Sequence, residues 1–300
     1  MKFTAMFRNR YQKVNSMVCV GLDGEYGQIS DEVKRVLIRD GWADNISPES
    51  IIFGFNKALF SATKNFVCAY KLNAAFYEAE LQALQRIIEY IRFRAPDIPI
   101  ILDAKRADIG NSSKHYAKIA FDVLGVDAVT VNPYFGSDAL EPFLLAENKG
   151  IFIVCKTSNP GSGEFQDRQV FVQNQNTPWL LGMGQHWPLW KYIAWRVSNY
   201  WNTLGNCGLV VGATFPGQLK EVREVAPGLL ILSPGIGAQG GDPEGIVRNG
   251  LDSAGSGLII SVSRTVIYAS GSEDFARRAG IEVRRLQKRI NEIKEGVRKQ

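Results

Sequence analysis

The sequence predicts an α/β protein built as a (β/α)8 (TIM) barrel, a single domain over residues 1–300 with an inserted helical segment after the fifth strand. Three observations predict it. Eight short apolar runs recur along the chain, most of them ending in polar residues or glycine. Several are apolar at nearly every position, the pattern of parallel strands covered on both faces. Helical patterns separate many of them, so successive strands must be joined by crossovers. Eight such units in roughly 250 residues point to one closed barrel.

The first strand is expected over residues 18–23, ending at Asp23, and the second over 67–73, carrying Lys71 near its end. A helix follows over 76–94, where Leu81, Leu84, Ile87, Ile88 and Ile91 recur at helical spacing. The third strand, 99–105, ends in Asp103 and Lys105, and 111–124 reads as the next helix. The fourth strand, 128–133, includes Asn132, a helix is expected over 137–148, and the fifth strand, 151–158, ends at Ser158. The longest gap, 159–206, is the insertion. It opens with the loop signal Asn159-Pro160-Gly161-Ser162-Gly163 and then carries Trp179, Trp187, Trp190, Trp195 and Trp201. The helical pattern over 189–201 favours a packed extra helix over a platform for a ligand base. Strands six to eight fall at 207–214, 229–235 (with Pro234) and 257–264 (ending in Arg264), and 275–299 reads as a closing helix with a basic, solvated face.

Composition bounds the function. An apolar fraction of 45% and a charged fraction of 22% describe a soluble globular protein with a sizeable core. The net charge of +5 is mild and no dense basic block precedes the tail, so the balance suits an anionic small molecule and gives no support for nucleic acid. No apolar run approaches the ~18 residues of a membrane span, and residues 1–15 lack the core of a signal peptide. Cys19, Cys68, Cys155 and Cys207 sit in or beside apolar runs without CxxC spacing, which predicts buried thiols in the cytoplasm. His115 and His186 are the only histidines and neither stands at metal-ligand spacing from a cysteine, so no metal site is expected.

In a (β/α)8 barrel, function gathers at the C-terminal ends of the strands. There the stretch Asp103-Ala104-Lys105-Arg106-Ala107-Asp108-Ile109-Gly110 crowds charges at a strand's exit. Strand alternation points Asp103 and Lys105 the same way, and Asp108, where the chain turns, can swing back toward Lys105. Burying charge is costly unless it is paired, so the cluster is an ion-pair network or a site. Gly235-Ile236-Gly237-Ala238-Gln239-Gly240 matches GxGxxG, but it starts too near the C-terminus for a Rossmann sheet. A phosphate loop between strands seven and eight fits better, with Arg264 as a bidentate cation and Gln239 as an amide donor.

Together with Val20-Gly21-Leu22-Asp23, Tyr70-Lys71-Leu72-Asn73, Ser233-Pro234-Gly235 and Ser263-Arg264, these motifs resemble the orotidine 5′-phosphate decarboxylase family over about residues 15–270. The length and the Ser158-Asn159-Pro160-Gly161 loop look like its longer bacterial branch. The resemblance implies cofactor-independent conversion of orotidine 5′-phosphate to uridine 5′-phosphate in pyrimidine synthesis. It implies a catalytic tetrad of Lys71, Asp103, Lys105 and Asp108, with Lys105 protonating C6 and Asp108 supplied across a homodimer. It also implies that Asp23 binds the ribose, Ser158 reads the pyrimidine edge, Gln239 and Arg264 hold the phosphate with Gly240 offering backbone, and Pro234 is among the substrate-binding residues. Ile109 and Ser112 would approach the partner's site. The family usually has Thr where Ser112 stands, and its longer branch often has Pro where Gly24 stands. The nearest rival is an Mg²⁺-dependent sugar-phosphate enzyme such as a hexulose phosphate synthase, against which Lys71 argues, because an ammonium beside Asp103 repels a divalent ion. A catalytically silent phosphate-binding barrel is a further alternative.

Overall fold

The computed structural model describes residues 1–173, 184–237 and 240–298. Eight parallel strands close a barrel: β1 Val18–Gly21, β2 Ala69–Asn73, β3 Ile100–Arg106, β4 Ala128–Val131, β5 Gly150–Lys156, β8 Cys207–Val211, β9 Leu230–Pro234 and β10 Leu258–Val262. The ring closes at β1, where Val20 stands beside Tyr70 on one side and Val262 on the other. The runs are largely apolar because one face meets the helices and the other fills the barrel, with polar residues gathered toward their C-terminal ends.

Strand alternation sorts the barrel interior into layers. Cys19, Ala69, Ile101, Ala128, Phe152, Leu232 and Ile259 form one apolar cluster with Phe3 and Phe7. The helix Phe3–Val14 lays those two rings across the bottom of the barrel, with Phe3 edge-on to Phe152 at 5.7 Å between centroids. Gly150 makes room for it, since a Cβ there would lie 2.5 Å from the Phe3 ring. Two residues further along four of the strands the same inward positions turn polar: Lys71 follows Ala69, Asp103 follows Ile101, Thr130 follows Ala128 and Ser261 follows Ile259. The period of two thus places a charged layer on top of a dry one.

The crossovers follow the predicted order. Leu81–Arg94 joins β2 to β3, Gly110–Lys118 runs into a π-helical turn at Ile119–Val123 before β4, and Ser137–Leu144 leads to β5. Helices Asp31–Arg39 and Pro48–Thr63 fill the connection from β1 to β2, and each starts at a serine whose hydroxyl accepts from a backbone N–H, Ser30 from Val33 and Ser47 from Ser50. The helical segment after the fifth strand is present as Leu189–Arg196 continuing into Val197–Trp201. It packs on the barrel itself: Trp190 is buried, and the Cys155 thiol on β5 donates to its carbonyl. It therefore takes the place of the ordinary crossover helix between β5 and β8. The additional material lies before it, as a short helix Gly163–Gln166 and an antiparallel pair, β6 Gln169–Gln173 with β7 Gly184–Pro188. Trp179 lies outside the described residues. The closing helix spans Phe275–Arg298. All four cysteines are buried and form no disulfide, and no described helix is long and apolar enough to cross a membrane.

Candidate active site

A cavity of about 490 Å³ opens at the C-terminal end of the barrel. Asp23, Lys71, Asp103, Lys105, Ser158, Pro234 and Arg264 line it, as the strand-end reading expected. Lys71, buried on β2, places its ammonium 3.1 Å from Asp103 Oδ2 and 3.4 Å from Asp23 Oδ2. The other Asp103 oxygen lies 2.6 Å from Lys105 Nζ and accepts a 2.8 Å bond from the Thr130 hydroxyl. Asp23 is held in turn by Asn73 N–H at 2.9 Å. The result is an alternating chain, Asp23–Lys71–Asp103–Lys105, with no net charge.

Lys105 reaches its place through a break in the strand. The pairing of β3 with β4 shifts register between Leu102 and Arg106, and Lys105 takes a left-handed backbone (φ +48°). Its N–H, turned out of the ladder, donates to Thr130 Oγ1 at 2.9 Å. Thr130 therefore serves both partners: it receives the Lys105 backbone and donates to the Asp103 carboxylate. A non-glycine residue at positive φ costs roughly 1–3 kcal/mol, and such strain collects at functional sites. The Lys105 side chain remains 43% exposed, so it faces the cavity and solvent.

The fields fix the charge states. Burial alone would raise the Asp103 pKa, but the Lys71 and Lys105 charges and the bonds from Lys105 and Thr130 outweigh it and hold the carboxyl well below the usual range. For Lys71, burial favours the neutral amine, yet Asp23 and Asp103 together lift its pKa above the ordinary lysine value. Cys19, below Lys71, is pushed up to about 12 by burial, which keeps it a neutral thiol.

Other predicted residues stand apart from this cavity. Asp108 does not swing back to Lys105: its carboxylate accepts from Ile109 N–H at 2.7 Å, and its own N–H donates to Ser113 Oγ at 3.1 Å. Those bonds engage it within the turn at the start of Gly110–Lys118, and it does not line the cavity. Ile109 and Ser112 lie exposed beside it. Asn132 caps Tyr134 N–H at 3.0 Å and does not line the cavity. In the glycine loop, Gly240 has φ +79° and its N–H donates to Gly237 O at 2.9 Å, so in this structure that group closes the loop. Gln239 lies outside the described residues. Arg264, across the mouth, pairs with no described residue. The sequence reading overlooked Thr130, Glu25, Phe76 and Ser261. For Thr130 a signal existed, a lone hydroxyl in the apolar run Ala128-Val129-Thr130-Val131.

Fold and site define a parallel (β/α)8 barrel enzyme with an alternating lysine–aspartate array at its mouth. A family model described as Orotidine 5'-phosphate decarboxylase / HUMPS family matches residues 17–279. An orotidine 5'-phosphate decarboxylase of Roseiflexus castenholzii is 44% identical over 288 residues, covering 96% of this chain and 95% of that protein. One from Cellvibrio japonicus is 39% identical over 97% of this chain and 98% of its own length. Among solved structures, Leishmania donovani OMP decarboxylase superposes with a TM-score of 0.73 at 34% identity, covering 98% of this chain and 99% of that one. Leishmania donovani UMP synthase gives 0.78 at 35%, and there this chain, 98% covered, spans 56% of the longer protein. The chain belongs to the orotidine 5′-phosphate decarboxylase family.

Proposed function

We propose that this protein decarboxylates orotidine 5′-phosphate to uridine 5′-phosphate without a cofactor. The observation that carries the reading is the ammonium of Lys105 held 2.6 Å from an Asp103 carboxylate that Lys71 grips from the other side. The bond from C6 to the carboxylate breaks, its electron pair stays on C6, and carbon dioxide leaves. No carbonyl is placed to delocalise that pair as a simple enolate. A fixed cation beside C6 stabilises it as it develops, and little reorganisation is needed at that moment. Lys105 then gives C6 a proton and is reprotonated through its exposed side. Asp103 lies near the departing carboxylate and Asp23 binds the ribose hydroxyls. Ser158 recognises the pyrimidine edge, with Pro234 beside it. Arg264, with Gln239 and Gly240, holds the phosphate, and that remote grip offsets the cost of desolvating the base.

Asp108 completes the array from a second copy of the chain. Ile109, Tyr134 and Phe135 support this, as large apolar side chains 65%, 80% and 49% exposed on the loops that leave β3 and β4 at the same end as the site. An exposed apolar patch of this kind marks a protein contact. The unbonded thiols fit a cytoplasmic enzyme. The sugar-phosphate chemistry of the wider family is disfavoured here, because the Lys71 ammonium fills the place between Asp23 and Asp103 where those carboxylates would hold Mg²⁺. The test is an ultraviolet assay with orotidine 5′-phosphate in excess EDTA. Steady conversion to uridine 5′-phosphate supports the reading. Turnover that appears only with added Mg²⁺ and a sugar phosphate overturns it.

A further inference from the structure

Lys156 closes β5 and is 1% exposed, yet no step above uses it. Its ammonium lies 2.7 Å from Asp167 Oδ1 and 4.7 Å from the centroid of the Phe215 ring. Asp167 belongs to the segment that leaves the barrel after β5, just past the helix Gly163–Gln166. The residue before it turns back in the same way. Gln166 Oε1 accepts from Thr157 N–H at 2.9 Å, and Gln166 Nε2 donates to Thr157 Oγ1 at 2.8 Å. Two consecutive loop residues thus grip two consecutive residues at the strand's end.

The next residue in the chain is Ser158, which lines the cavity. Its other side is confined as well. Gly212 N–H donates to Lys156 O at 2.8 Å, and a Cβ on Gly212 would come within 2.8 Å of the Ser158 Cβ. Stability does not explain a buried lysine here, because apolar residues of equal volume commonly serve as well or better than a buried ion pair. What the pair adds is a fixed geometry.

We propose that the Lys156–Asp167 ion pair and the Gln166–Thr157 bracket form a positioning clamp that holds Ser158 against the pyrimidine edge of the substrate. This rests on the decarboxylase reading above. None of the four clamp residues lines the cavity, so they act through the Ser158 backbone. A hydroxyl displaced by a fraction of an ångström loses much of what it contributes to orienting the base.

The experiment compares kcat, KM and Tm of the full-length protein with Ser158→Ala, Lys156→Met/Asp167→Asn and the triple variant, using orotidine 5′-phosphate. Removing both charges is expected to leave Tm unchanged or higher while kcat/KM falls about tenfold or more. The triple variant should lie within about twofold of Ser158→Ala, because both changes remove one interaction. Asp167→Glu, which keeps the charge, should retain most of the activity. Wild-type kcat/KM in the charge-free pair, or losses that multiply in the triple variant, would overturn the clamp. Should the double variant not fold, Asp167→Asn alone carries the same cycle, since Asp167 is half-exposed. A wild type that does not turn over orotidine 5′-phosphate overturns the decarboxylase reading itself, a failure distinct from variants that match an active wild type.

Discussion

Asp103 ties together more of the site than any neighbour, since its two oxygens engage Lys71, Lys105 and Thr130. Thr130→Val removes the hydroxyl's donation to the carboxylate and the acceptor for Lys105 N–H. Each loss leaves a buried or half-buried group short of a partner, so stability is expected to fall by about 1–3 kcal/mol and kcat with it. Urea denaturation and steady-state kinetics measure both, and a valine variant of unchanged kcat contradicts the role given to the strand bulge. The pH behaviour follows from the same contacts. The folded-state pKa of Asp103 is depressed, so its contribution to stability is present above the unfolded carboxylate range and is lost as pH falls through the depressed value. That of Lys71 is raised, so its contribution is present below the unfolded lysine value and is lost as pH rises through the raised one. Neither group changes charge between about pH 5 and 9. Neither should therefore contribute to the pH dependence of stability there, and a stability change with its midpoint inside that window that disappears in Asp103→Asn or Lys71→Met contradicts this assignment. Asp103, Lys71 and Lys105 were legible in the sequence because charge at a strand's end is anomalous. Thr130 was overlooked because a threonine is at home in any strand.

At the scale of elements, β3 shows how pattern and structure diverge. Alternation places Asp103 and Lys105 on one face, and the two do meet. They meet through a register shift and a left-handed residue, not through a regular pleat. The eight barrel strands were legible because near-continuous apolar runs have few other uses. The pair β6 and β7 was not, since Gln169-Val170-Phe171-Val172-Gln173 is short and Gly184-Gln185-His186-Trp187-Pro188 carries no apolar run. The helix Phe3–Val14 also escaped notice, although it seals the barrel opposite the site. Phe3→Ala should cost about 3–5 kcal/mol, because the ring leaves a cavity against Phe152 and Gly150. Catalysis is a layer away, so kcat should hold. Calorimetry and kinetics together check this, and a fall in kcat without a fall in Tm would refute the separation of layers.

At the scale of the whole molecule, the array seen in one chain lacks Asp108, whose carboxylate is held by Ile109 N–H beside exposed apolar side chains. The homodimer with shared sites proposed above would account for both. Lys71→Ala and Asp108→Ala chains, each inactive alone, should recover about a quarter of wild-type activity after random subunit exchange, since half of the dimers are mixed and one site in each is intact. No recovery after verified exchange places Asp108 outside the site. The position of the cavity was legible from the barrel rule, whereas the separation of Asp108 from Lys105 depends on local bonds to Ile109 and Ser113 that no spacing reveals. The central claim is that the Lys105 ammonium both stabilises and protonates the carbon that loses carbon dioxide. The measurement that tests it most directly is turnover of orotidine 5′-phosphate by Lys105→Ala beside the wild type, with folding verified by thermal melting. The account predicts a folded protein that still binds uridine 5′-phosphate but whose turnover is abolished. A folded Lys105→Ala enzyme with near-normal kcat would contradict it.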